Sequence, residues 1–146
     1  MTATDEWDEA LATTGKDAGD QNGDQEPAEP MFANVEAWVT QWLAPMIRRP
    51  LTGDTTWCPQ WWQHPEAILR LEALWRAWEF LRTDGTVGMS VFVRDHLDPH
   101  LNFLMNRELS PLSKCRKGHQ GQEDQLPVEP APDGWWGEPD QEVSAP

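Results

Sequence analysis

The sequence turns on Trp57-Cys58-Pro59-Gln60-Trp61-Trp62-Gln63-His64-Pro65-Glu66-Ala67 and on the run that follows, Ile68-Leu69-Arg70-Leu71-Glu72-Ala73-Leu74-Trp75-Arg76-Ala77-Trp78-Glu79-Phe80-Leu81-Arg82. Pro65 suits the first position of a helix, where its missing N–H costs nothing and its fixed φ is already helical. Glu66 then sits at the positive end of the helix dipole. At 100° per residue, Ala67, Ile68, Leu71, Leu74, Trp75, Trp78 and Leu81 fall within an arc of about 140°. That periodicity predicts a helix over 65–82 with one buried face. Glu66–Arg70 and Glu72–Arg76 are i, i+4 pairs in the favourable order. Leu69, Ala73, Ala77 and Phe80 form a second, weaker apolar strip. The helix is therefore expected to pack on two sides, between its neighbours or into a dimer partner.

Upstream, 57–64 is aromatic, non-periodic and carries Pro59, and we expect an irregular segment laid over the helices. Before it, Asn34 is a good N-cap. Val35, Trp38, Val39, Trp42, Leu43, Met46 and Ile47 follow at helical spacing. They predict a first helix over 35–48, disturbed by Pro45 and ended before Pro50. Downstream, Thr83-Asp84-Gly85 stops the second helix and Ser90 is the next candidate cap. Phe92, Val93, Leu97, Phe103 and Leu104 then share a face, with His96 and His100 in its middle. Pro99 either kinks one helix there or, with Asp98 as cap, opens a new one. The expected fold is a small all-α domain of three to four helices over residues 34–119, about 85 residues, near the size at which a single core is barely sufficient. Ten tryptophans and a structural metal would both help.

The flanks differ in kind. Residues 1–33 and 120–146 are acidic and rich in Pro, Gly, Gln and Thr, and such compositions are expected to stay disordered. The formal net charge of −14 belongs to them, because 57–119 holds eight Lys/Arg against seven Asp/Glu. Acidic flanks repel phosphate backbones, which disfavours nucleic acid as a partner. Two cysteines far apart do not form a disulfide framework. No apolar run reaches membrane-spanning length, and the first residues lack a signal-peptide stretch. A cytoplasmic protein with reduced thiols is expected.

The candidate chemistry lies between Trp57 and His119. His96-x3-His100 places two imidazoles on one helical face, and Cys115-x3-His119 can add two ligands in a turn. Nitrogen and sulfur together favour tetrahedral zinc, and four protein ligands make a structural site rather than a catalytic one. Cys58 and His64 are reserve ligands. The plainer alternative makes His96 and His100 hydrogen-bonded core histidines and the cysteines small buried hydrophobes. A hydrolase would need an open zinc position with Asp95 or Asp98 as base, or Cys58 or Cys115 as nucleophile. No catalytic motif accompanies either arrangement, and a non-catalytic role is expected. Trp57, Trp61 and Trp62, the Leu69 and Phe80 strip, and Trp135-Trp136 in the acidic tail are candidate surfaces for a protein partner. Arg94, Arg107, Lys114, Arg116 and Lys117 would carry the alternative, contact with nucleic acid.

The Trp57-Cys58-Pro59-x-Trp61-Trp62-x-His64-Pro65-Glu66-Ala67 block and the run Arg70 to Glu79 resemble a family of actinobacteria and their mobile elements, catalogued as domain of unknown function 4913. Gly88-Met89-Ser90, Arg94-Asp95-His96, Asp98-Pro99-His100 and Cys115 resemble its later blocks. Phe92-Val93 departs from the aromatic pair expected at that point. The resemblance implies no catalytic residues. It implies an accessory role in a plasmid, conjugation or phage-type system.

Overall fold

In the computed structural model, the described residues are 28–121 and 123–137. Most of the expected N-terminal tail (1–27), together with 122 and 138–146, lies outside them. Among the described residues there are three helices and no strand. The chain is an all-α domain.

The first helix, α1, covers 35–46. Asn34 is its cap, in extended backbone geometry, and its side-chain oxygen accepts the Ala37 N–H at 2.9 Å. The middle of α1, Val39–Leu43, is a π-turn, and Ala44–Met46 resumes the α-helix with Pro45 just inside it. Ile47 is already extended. The helix therefore stops two residues short of the expected Arg48, and Pro50 bars a helical backbone at Arg49 beyond it.

The second helix, α2, is Pro65–Leu81, with Pro65 at its first position and Glu66 in its first turn. Ala67, Leu71, Leu74 and Trp78 are buried, flanked by partly buried Ile68, Trp75 and Leu81, the face that periodicity predicts. Glu79 closes its last turn. Its carboxylate accepts the backbone N–H groups of Met31 and Phe32, each at 3.0 Å, and Arg82 Nε at 2.7 Å. Burial alone would raise the Glu79 pKa, but those backbone donors and Arg82 hold it below the usual carboxylate value. The ordered domain thus begins before Asn34, with Phe32 packed on Trp78 at a centroid distance of 5.4 Å. At the other end, 123–137 has no helix or strand and is exposed throughout.

The third helix, α3, covers 88–104: Gly88–Val91 is α, Phe92–Leu97 is a π-turn and Asp98–Leu104 is α again. It starts before the expected Ser90 cap. Pro99 neither breaks it nor opens a new helix. Leu97 and Asp98 keep helical dihedrals, and the wider turn just upstream makes room for the proline ring, which would otherwise crowd the carbonyl four residues back. Pro45 in α1 follows a π-turn in the same way. Gly88 lies where α3 passes the end of α2, and a Cβ there would collide with the Leu81 carbonyl oxygen and press on the Asp84 side chain. Gly88→Ala is therefore expected to destabilise the domain by about 2 kcal/mol or more through overpacking. A denaturant titration against the wild type checks it.

The three helices meet on an aromatic centre. Trp38 stacks on Trp42 at 5.5 Å, Trp42 meets Trp78 at 5.2 Å, and Phe92 meets Trp38 and Trp42 edge-on at 6.5 and 6.0 Å. Below this centre, two irregular segments are fastened to each other and to the end of α3. Thr56 N–H donates to the Met105 carbonyl at 2.9 Å, and Arg107 N–H donates to the Asp54 carbonyl at 2.9 Å. The buried Thr56 hydroxyl donates to the Leu112 carbonyl at 2.9 Å. Ser110, also buried, gives its hydroxyl to the Leu104 carbonyl and accepts the Leu112 N–H. This fastening sets the 50s loop against the 110s turn.

Candidate metal centre

Cys58 follows Thr56 by two residues, and Cys115 follows Leu112 by three. The Thr56–Leu112 bond therefore brings the two cysteines together across 57 positions of sequence. Cys115 stands in a tight turn, where its N–H donates to the Leu112 carbonyl and Gly118 N–H donates back to its own carbonyl. Gly118 has φ of 126°, a conformation that glycine alone adopts without strain, and it turns His119 back toward Cys115. His64 arrives from the other direction. It is the N-cap residue of α2, yet its side chain makes no capping bond. The imidazole points instead at Cys115.

Cys58, His64, Cys115 and His119 together offer four ligand atoms, all within 4.8 Å of one another. Cys115 Sγ lies 3.5 Å from His64 Nε2, and Cys58 Sγ lies 3.4 Å from His119 Nδ1. The two rings meet edge-on at 5.0 Å. In a tetrahedral zinc site with bonds of ~2.3 Å to sulfur and ~2.0 Å to nitrogen, a sulfur–nitrogen edge is about 3.5 Å. Two edges of that tetrahedron are already at length. Cys58, His64 and Cys115 are buried. The Gln120 N–H donates to Cys115 Sγ at 3.3 Å. No carboxylate belongs to the group.

The electrostatics fit a cation. Burial, then the neighbouring Cys115 sulfur, pushes the Cys58 thiol up to about 11, against the lowering effect of the Gln60 backbone N–H. Burial, with His119 beside it, lowers the His64 pKa, so this imidazole is neutral and can ligate. A divalent cation held by these atoms inverts the balance at sulfur, because its charge stabilises the thiolates. The chain thus holds a Cys2His2 cluster with the ligand types and spacing to bind a metal ion.

The composition of the cluster differs from the expected set in two members. Cys115 and His119 are present, and the reserve residues Cys58 and His64 complete it. His96 and His100 are elsewhere, on α3. His96 stacks on Phe92 at 6.4 Å, and His100 Nδ1 faces Arg70 Nη1 at 3.2 Å. They remain neighbours of each other, but His96 is held against Phe92 of its own helix and only His100 faces α2. Burial first, then Arg70 and His96, lower the His100 pKa below the ordinary imidazole value of 6.5. The unfolded chain therefore binds this proton more readily than the folded one. Stability is retained above the unfolded pKa and lost as pH falls below it. Wild-type protein is expected to lose denaturant resistance between pH 7 and 5.5, and His100→Gln to lose less. Equal losses in two parallel titrations would remove His100 as a contributor.

The other candidate residues divide by exposure. Trp61 is core and cannot serve a partner surface. The irregular segment before α2 turns through a 3₁₀ helix, Trp61–Gln63, which sends one ring in and the next out. Trp57 is half-buried and walls an apolar cleft of about 160 Å³ with Leu43, Ile47 and Met105. Trp62, Leu69, Phe80, Trp135 and Trp136 are exposed. Of the basic residues, Arg94 pairs with Asp95 at 2.7 Å and Lys114 pairs with Glu123. Arg107 and Arg116 both donate to the Gly53 carbonyl, at 3.3 and 3.0 Å. Carboxylates thus offset two of these charges, Arg94 and Lys114, while Arg107 and Arg116 keep theirs and Lys117 is exposed. Among the described residues no helix is long and apolar enough to cross a membrane.

Residues 32–132 match the family described as domain of unknown function (DUF4913). The chain belongs to this family. The matched span starts at Phe32, the residue packed on Trp78, takes in the three helices and all four members of the metal cluster, and runs on into the exposed segment after them. No curated protein and no solved structure matches the chain.

Proposed function

We propose that this DUF4913 chain is a non-catalytic protein-interaction module locked by a structural zinc ion, serving as an accessory component of a plasmid, conjugation or phage-type system. The observation that carries the zinc-locked, non-catalytic part is the closed Cys58, His64, Cys115 and His119 tetrad. Two sulfurs and two imidazoles at tetrahedral spacing suit zinc above calcium, magnesium or manganese, which prefer oxygen. Four protein ligands leave no position for a substrate or an activated water, and no carboxylate stands in the group to act as a base. The site's position supports the same reading. It ties the segment before α2 to the turn after α3, where a small core most needs a clasp. The accessory context rests on the family resemblance alone.

The interaction role draws on the apolar surface left outside the core, namely Trp62, Leu69 and Phe80 around α2 and Trp135-Trp136 in the exposed tail. The metal part is tested on full-length protein purified without added zinc or a histidine tag. Mass spectrometry should find about one zinc per chain. Cobalt substitution should give the absorption of a four-coordinate sulfur–nitrogen site that does not change when azide is added. A site that takes up azide, or that binds no metal, overturns the closed structural reading.

A further inference from the structure

α2 carries a feature that its burial pattern alone does not explain. Its outward side presents Glu66, Leu69, Ala73, Arg76 and Phe80, spaced three, four, three and four residues apart. That is the 3.5-residue repeat of a coiled-coil seam, and every member is exposed. Leu69 is 69 % exposed and Phe80 78 %. The buried face of the same helix, centred on Leu71, Leu74 and Trp78, lies on the opposite side.

We infer that this seam takes α2 of a second copy of the chain, packed antiparallel across a two-fold axis. The inference rests on the reading of the domain as an interaction module and names its partner. The argument is that the seam is complementary to itself in one register. When α2 is laid antiparallel on its copy, Leu69 meets Ala73 and Glu66 meets Arg76, and Phe80 lies beyond them at each end. Each layer joins an a-type position to a d-type position, as antiparallel helices require. A large side chain faces a small one at the centre, and opposite charges face each other on either side of it. An isologous interface needs this property, because each contact occurs twice. Arg76 has no carboxylate partner among the described residues, since the expected Glu72–Arg76 pair is not formed. Glu66 engages only Arg70, on its own helix, and remains exposed. The charges are therefore available in the order that the register demands.

A seam on a helix of about 25 Å buries on the order of 1,000 Å² in total, at the low end for a specific interface. A micromolar dissociation constant is therefore expected rather than an obligate dimer. The acidic flanks repel one another, so the experiment is run at about 0.3 M salt, where such repulsion is screened. Sedimentation equilibrium of the full-length, zinc-loaded chain from about 1 to 200 µM should show a monomer–dimer equilibrium. Leu69→Glu and Phe80→Glu should each weaken dimerisation at least tenfold. Glu66→Arg and Arg76→Glu should each weaken it by placing like charges together, and the double variant Glu66→Arg/Arg76→Glu should restore it. That restoration is specific to residues 66 and 76 facing each other. A chain that stays monomeric across the range overturns the inference. So does a dimer indifferent to Leu69→Glu and Phe80→Glu, and so does a double swap that fails to restore association. A monomer that still carries one zinc overturns the second copy as partner and leaves the zinc-locked, non-catalytic reading standing, because the metal content and the cobalt spectrum test that reading separately.

Discussion

On the proposed zinc-locked reading, Cys115→Ser protein is expected to lose metal binding and most of its stability together. Wild-type protein treated with a strong chelator should behave alike. Zinc binding in small structural sites contributes ~10 kcal/mol or more of apparent free energy. That is comparable to the entire stability of a domain this size, ~5–15 kcal/mol. Melting should therefore fall by more than about 15 °C or cease to be cooperative. The same experiment separates the two ligand sets. Cys58→Ser and His64→Gln should also lose the metal, because each belongs to the group lying within 4.8 Å. His96→Gln and His100→Gln should keep about one zinc per chain, because those rings engage Phe92 and Arg70 instead. Metal retention by Cys58→Ser together with loss by His96→Gln would reverse the assignment.

Trp38→Ala is expected to be the most damaging change away from the metal. Trp38 is fully buried and packs on Trp42, Trp78 and Phe92, one ring from each helix. Truncating a buried tryptophan removes its transfer free energy and leaves a cavity, together ~3–5 kcal/mol. At ~4–8 °C per kcal/mol for a domain of this size, the melting temperature should fall by about 15 °C or more. Trp38→Phe should be much milder. It keeps an aromatic ring in the cluster and removes an indole N–H that is buried without a hydrogen-bond partner among the described residues, a group costly to bury unpaired. Leu109→Ala is the control. Leu109 is exposed, and its loss should stay within about 0.5 kcal/mol. Thermal melts of the three variants beside the wild type decide the ranking, and a Trp38→Phe variant as unstable as Trp38→Ala would refute the role given to the ring.

How far the sequence could be read depended on whether the information was local. The buried face of α2, the Pro65 start and the Asn34 cap were legible because each depends on neighbours within one helical turn. Cys115 and His119 were legible as a ligand pair for the same reason, being four positions apart across one turn. Cys58 and His64 could be noticed but not ranked above His96 and His100. Their segment, 57–64, has no periodicity, and nothing in its residues states where it will lie. The π-turns were not legible either. A proline inside a helical pattern gives the same signal whether the helix breaks or widens ahead of it, and the packing of Phe92 and Leu97 against the other helices selected the widened form. The N-terminal boundary moved because Glu79 reaches back to Met31 and Phe32, a contact that spans half the domain.

The sequence by itself determined that the domain is helical, which side of α2 faces inward, and that sulfur and imidazole ligands lie between Trp57 and His119. Hydrophobic periodicity and helix-end chemistry are enough for that, since they act over a few residues. Only the tertiary structure decided which four side chains meet. The choice was made by the hydrogen bonds of Thr56 to Met105 and Leu112, which fasten two irregular segments whose positions are fixed by the core beneath them.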